Sequence, residues 1–193
     1  QLGRKAFKGA GTDFDLGRKG AGYGAMAGSR QGGLGSASIV TDDGYTVGAM
    51  VAVNSFGSVT VPGSEAYWAA PYEIDDEFGG IPVPAHAGFD PEDWGEAKAN
   101  PAPRQNTTIA IVATDAVLTP SEAQRFADMS VAGLARAIRP VFAPFDGDVV
   151  YALSTGQKLL SEPKPFTLAR LGELGASCLA RAVARGVHAA NSD

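Results

Sequence analysis

The sequence predicts a layered domain of the α/β or α+β class, with helices packed on a sheet. Three observations carry that expectation. Two β-rich runs, residues 45–54 and 107–115, are apolar on both faces, the pattern of strands covered on both sides. Asp42-Asp43-Gly44 separates the first of these from another β-rich run at 36–41, and Asp-Gly between such runs is a hairpin signal. Two stretches, one after Thr119 and one after Pro165, repeat apolar residues at three- and four-residue spacing, which is the period of a helix. In chain order this gives hairpin, loop, strand, helix, strand, helix, an arrangement that buries its apolar faces by stacking helices on sheets.

At 193 residues the chain suits a single domain, 1–193, with length enough to bury a core. Hydrophobic residues make up 45% and charged ones 19%, which separates it from disordered chains. A net charge of −5 argues against nucleic acid, which selects a basic face. The single cysteine, Cys178, excludes an internal disulfide and a thiolate metal cluster. His86 and His188 lie far apart in sequence and support no zinc site, so neither a metal nor a cofactor is expected. No apolar run approaches the ~20 residues that span a bilayer. The opening residues QLGRKAFKG lack the apolar core of a signal peptide, and a cytoplasmic location is the expectation.

Along the chain, residues 17–35 contain eight glycines. A phosphate-cradling loop would need them between a strand and a helix, with Lys-Ser/Thr or a downstream acid in register, and neither appears. The alternative is a strand pair whose glycines allow close backbone approach. Residues 45–54 place Val47, Ala49, Val51 and Val53 on one face and Gly48, Met50 and Ala52 on the other, ending at Asn54. Residues 61–104 carry seven prolines, nine acids and two bases, with Tyr67, Trp68, Tyr72 and Trp94 among them. That composition predicts a long segment without central strand or long helix, packed on a surface in places through its aromatic rings.

The run 107–115 then alternates Thr108, Ala110 and Val112 against Ile109, Ile111 and Ala113. Thr119-Pro120-Ser121-Glu122 reads as a capping box, with proline at the first helical position, opening a helix to about Ile138. Asp146-Gly147-Asp148 introduces a further strand at 149–154. The last helix carries Leu168, Leu171, Gly175, Cys178, Leu179 and Ala182 on one face, small enough for close approach, with Cys178 as a buried hydrophobe.

The polar residues that interrupt these apolar elements are Asn54, Thr107, Thr108, Asp146 and Asp148, each at a strand end where neighbouring strands can bring side chains together. Asn106-Thr107 has two readings. It is a turn entering a strand, or it is a bond whose cleavage would leave Thr107 with a hydroxyl nucleophile and a free α-amine. An α-amine titrates near pH ~8 and can serve as the base for its own hydroxyl. Asp146-Gly147-Asp148 has three. It is a plain turn, a metal loop (for which no third carboxylate follows at calcium-loop spacing), or a pair of carboxylates tuning a threonine amine. Spacing alone leaves these open.

Four blocks, GRKGAGYGAMAG, GGLGSASIVTDDGYTVGAMVAVNSFGSV, NTTIAIVATDA and FDGDVVYALSTG, stand in the order found in another family. Together they resemble the P1 (S58) peptidases, which include L-aminopeptidase/D-amidase-esterases, β-peptidyl aminopeptidases and nylon-oligomer hydrolases. The resemblance covers nearly the whole chain and is weakest over 61–105.

It implies an αββα sandwich shared with ornithine acetyltransferases, and a precursor that cuts itself between Asn106 and Thr107 into 1–106 and 107–193. Thr107 would then be an N-terminal nucleophile, Asn54 an aid to oxyanion stabilisation, and Asp146 and Asp148 the acids that hold the catalytic network. Some relatives place a lysine after the glycine matching Gly28, where this chain has Ser29. Relatives also carry a segment before the part matched here, so an incomplete or separately processed chain is expected. The implied partners are a small peptide or amide substrate and further copies of the chain, as a tetramer, with no membrane or nucleic acid. Two other functions fit the same residues: an ornithine acetyltransferase-like acyltransferase, testable by acetyl transfer from N-acetylornithine to glutamate, and a non-catalytic relative. The substrate-binding residues are unknown from sequence.

Overall fold

The computed structural model describes residues 1–85, 90, 92–99 and 106–192, so His86 and the residues just before Asn106 lie outside the described chain. A short helix α1 (Leu2–Lys8) buries none of its residues. The glycine-rich stretch forms a small antiparallel pair, β1 (Met26–Ala27) and β2 (Arg30–Gln31), as the strand-pair alternative anticipates. Next come β3 (Gly33–Val40) and β4 (Thr46–Val53), joined through the expected Asp42-Asp43-Gly44 turn. In that turn Gly44 has φ +85° and the Thr41 hydroxyl bonds Asp43 at 2.6 Å.

After the long loop come β5 (Ile109–Ala116), α2 (Pro120–Ser130), α3 (Ala132–Ala137), β6 (Val149–Lys158) and α4 (Lys164–Asn191). The main sheet runs β3-β4-β5-β6. Its first three strands pair antiparallel, whereas β5 and β6 are parallel and connected through α2 and α3.

The capping box forms as read: the Thr119 hydroxyl accepts from the Glu122 N–H, while the Glu122 carboxylate accepts from the Thr119 N–H at 2.8 Å. The helix expected to run unbroken to Ile138 is divided at Val131. Ser130 turns its hydroxyl back on the Phe126 carbonyl at 2.7 Å, a bond that bends helices.

α4 packs along β3 and β4 and against α2 and α3, and from Cys178 to Ala184 every residue is buried. Backbone-to-backbone approach makes this packing close. A Cβ on Gly35 would collide with the Ala182 carbonyl oxygen, and one on Gly133 with that of Ala176. Val47, Val51, Val53 and Val112 of the sheet meet Leu171, Leu179 and Val183 of α4 in one core. Each such side chain contributes ~1.5–3 kcal/mol by leaving water.

The long loop packs in part as its aromatic content predicts. Tyr67 and Phe78 are buried in an edge-on pair, and Arg181 and Arg185 of α4 both bind Glu77.

One expectation is corrected. The central strands were read as covered on both faces, but among the described residues only one face is covered. On the other, Met50, Ile109, Ile111, Tyr151 and Leu153 are exposed. The sequence pattern reports that both faces are apolar, and it does not say whether this stretch of chain supplies the second layer. The mixed α/β class, with helices packed on a sheet, holds.

Candidate active site

Sheet topology explains why the polar strand ends meet. β4 runs antiparallel to β5, so its last residues lie beside the start of β5; β6 runs parallel to β5, so its start lies there too. Asn54, residues 106–108 and residues 146–148 therefore converge at one edge of the sheet. The Thr107 N–H donates to the Asn54 carbonyl at 2.9 Å, and the Gly147 N–H donates to the Asn106 carbonyl at 3.0 Å. Asn106 pairs with Asp146 as a parallel bridge, and the Thr108 N–H donates to Asp148 Oδ1 at 2.7 Å.

The Asn106 carbonyl oxygen is the focus. It accepts from the Thr107 hydroxyl at 2.6 Å as well as from Gly147. Gly147 has no room for a side chain, since a Cβ there would stand 2.7 Å from Thr107 Oγ1. Asn106 itself is 1% exposed, so this peptide is held inside the protein rather than offered on a loop.

The side chains around it are fixed in turn. Asn54 Oδ1 accepts from the Met26 N–H at 3.0 Å and from Lys98 Nζ at 3.4 Å; Lys98 Nζ also donates to Asn106 Oδ1 at 2.9 Å. Asp146 Oδ2 accepts from the Ala143 N–H at 3.0 Å. Asp146 Oδ1 and Asp148 Oδ2 are buried without a hydrogen-bond partner among the described residues.

Burial pushes the Asp146 carboxyl above the ordinary carboxylate range, and Asp148 pushes it the same way, against the Ala143 N–H and the Lys98 charge. Burial likewise raises Asp148, against the nearby Thr108 and Phe142 groups. Burial lowers Lys98, opposed by Asp146. A hydroxyl, a carbonyl held by a backbone donor, and two carboxyls with raised proton affinity thus share one sheet edge. This is a constellation suited to acyl transfer.

The matching family model is that of peptidase family S58, over residues 3–192. The chain belongs to peptidase family S58. An uncharacterized aminopeptidase of Mycobacterium leprae is 40% identical over an alignment 188 residues long that covers 92% of this chain and 50% of that protein. One from Mycobacterium tuberculosis is 36% identical over an alignment 195 residues long that covers 96% of this chain and 56% of that protein. The chain spans about half the length of these curated relatives.

Among solved structures, the PH0078 protein of Pyrococcus horikoshii superposes with a TM-score of 0.66 at 28% identity, over 95% of this chain and 47% of that one. A Burkholderia sp. β-aminopeptidase gives 0.63 at 22% identity, over 95% of this chain and 49% of that one. The L-aminopeptidase D-Ala-esterase/amidase of Ochrobactrum anthropi, described as a variant of the Ntn hydrolase fold, gives 0.62 at 22% identity, over 97% and 48%. These last two establish the fold.

Every candidate site residue read from the sequence, namely Asn54, Asn106, Thr107, Asp146 and Asp148, lies in this one cluster. Ser29 does not reach it with a cation. Its N–H instead donates to the Glu96 carbonyl at 2.7 Å, and among the described residues Lys98 brings a cation to the site. Sequence reasoning missed Lys98 and the role of the Gly147 N–H. Lys98 had a signal, being one of two bases among nine acids in the segment before the junction. Gly147 had none beyond its place in a turn.

Proposed function

We propose that this chain carries the nucleophile of an amide-bond hydrolase, and that the nucleophile is freed by self-cleavage between Asn106 and Thr107. The observation that supports this most is the shared hold on the Asn106 carbonyl oxygen, by the Thr107 hydroxyl at 2.6 Å and the Gly147 N–H at 3.0 Å.

In the first step Thr107 Oγ1 bonds to the Asn106 carbonyl carbon. The hydroxyl proton, now directed at the carbonyl oxygen, passes to a base as the C–O bond forms. Asp146 and Asp148 are the carboxyls at hand, and their raised proton affinity suits that role. The carbonyl oxygen becomes an oxyanion against the Gly147 N–H, a donor of a kind worth about 3–4 kcal/mol when well aimed. The C–N bond then breaks and the Thr107 nitrogen leaves with the proton. The result is an ester between Asn106 and the Thr107 hydroxyl, which water hydrolyses to an Asn106 carboxylate and a free Thr107 amine.

Turnover repeats the chemistry on a small peptide or amide. The free α-amine accepts the Thr107 hydroxyl proton, the hydroxyl attacks the substrate carbonyl, and water releases the acyl-enzyme. Asn54 contributes its side-chain amide to the oxyanion. Association of processed protomers belongs to the same reading, and light scattering after size exclusion tests it.

Paired substitutions test the nucleophile. Thr107→Ser keeps a hydroxyl and is expected to process; Thr107→Ala removes it and is expected to remain one chain without amidase activity. Processing by Thr107→Ala at the wild-type rate would overturn the proposal.

A further inference from the structure

Lys98 has no part in the chemistry above, yet its ammonium lies beside the bond to be cut. Its Nζ lies 2.9 Å from Asn106 Oδ1 and 3.4 Å from Asn54 Oδ1, so one ammonium joins the side chains of the two asparagines on either side of Thr107. The Asn54 carbonyl meanwhile receives the Thr107 N–H. An amide oxygen that accepts from both Lys98 and the Met26 N–H cannot turn over without losing both donors. The Asn54 Nδ2 donor is thereby fixed on the opposite side.

The lysine is placed from outside the bond it serves. Its own N–H donates to the Phe56 carbonyl at 3.0 Å. Two residues earlier, Glu96 is held by the Ser29 N–H through its carbonyl and by Arg30 Nε through its carboxylate at 2.6 Å. Gly28 makes that approach feasible, because a Cβ there would strike the Glu96 carbonyl oxygen. Trp94 meets Phe56 edge-on, and Phe56 meets Phe145, the neighbour of Asp146. None of these anchors involves the residues between Lys98 and Asn106. Cutting the chain after Asn106 frees the Asn106 side chain but leaves the ammonium on Asn54.

We propose that Lys98 is the positioning residue of this site, orienting Asn106 for self-cleavage and Asn54 for both self-cleavage and turnover. The inference rests on the self-cleavage reading above. Lys98 is half-buried, held at the site rather than left in water.

The test follows the processing rate of the freshly made full chain by intact mass, in wild type, Lys98→Met, Lys98→Arg, Asn54→Ala and the Asn54→Ala/Lys98→Met pair. Lys98→Met is expected to slow processing about tenfold or more, the worth of one charge-assisted hydrogen bond, and Lys98→Arg to recover much of it. The double variant is expected to be slower than Asn54→Ala by less than the Lys98→Met factor, since the two residues act together.

Wild-type processing by Lys98→Met, with Thr107→Ala remaining whole, would overturn the role of Lys98 and leave the nucleophile assignment standing. Equal loss in Lys98→Met and Lys98→Arg, with lowered melting temperatures and fully multiplicative factors, would overturn it in favour of a packing role. A wild-type chain that never cuts would remove both readings.

Discussion

Gly147 shows how much one residue contributes at the site. Its N–H holds the Asn106 carbonyl, and its missing side chain leaves the space that Thr107 Oγ1 occupies. Gly147→Ala is therefore expected to slow processing about a hundredfold, with a fold unchanged by circular dichroism. Asp148 supplies a pH prediction. Burial raises its folded carboxyl above the unfolded value, so its contribution to stability is full below the unfolded carboxylate range and falls as pH rises through the folded value. Asp148→Asn removes that loss while keeping an oxygen for the Thr108 N–H. Its melting temperature should exceed wild type near pH ~8 and match it near pH ~3, where both side chains are neutral. Processing should be impaired. A variant less stable than wild type at both pH values would contradict the assigned cause.

At the scale of elements, α4 and β3 depend on glycines rather than on large apolar side chains for their separation. Gly35→Ala, which sets a methyl against the Ala182 carbonyl oxygen, is expected to cost about 1–3 kcal/mol, read as a lower urea midpoint with an unchanged slope. The elements were legible where local chemistry decides them. Thr119-Pro120-Ser121-Glu122 gave the start of α2, and Asp42-Asp43-Gly44 the turn from β3 to β4. The break at Val131 was not legible, because a Ser130 hydroxyl turning back on Phe126 leaves the apolar spacing intact. For the site, strand-end polar residues were readable one by one. Their meeting was not, since it depends on β5 lying between an antiparallel and a parallel neighbour. Lys98 was hidden for a related reason: its reach to Asn54 spans 44 residues of a segment with no regular period.

For the molecule as a whole, a helix layer on one face of a four-stranded sheet sets a rigid edge at which three strand ends meet. The apolar pattern of the strands predicted cover on both faces, and the described residues supply it on one, leaving Ile109, Ile111, Tyr151 and Leu153 outward. The site lies at the end of the sheet, where its geometry is fixed by β4, β5 and the loop before β6. The central claim is that this edge cuts its own chain. Its most direct test is the intact mass, under denaturing conditions, of the freshly made wild-type chain followed over time. The account predicts conversion of one mass into two, matching 1–106 and 107–193 and together exceeding the precursor by one water. A single uncut mass, in a sample with full amidase activity, would contradict it.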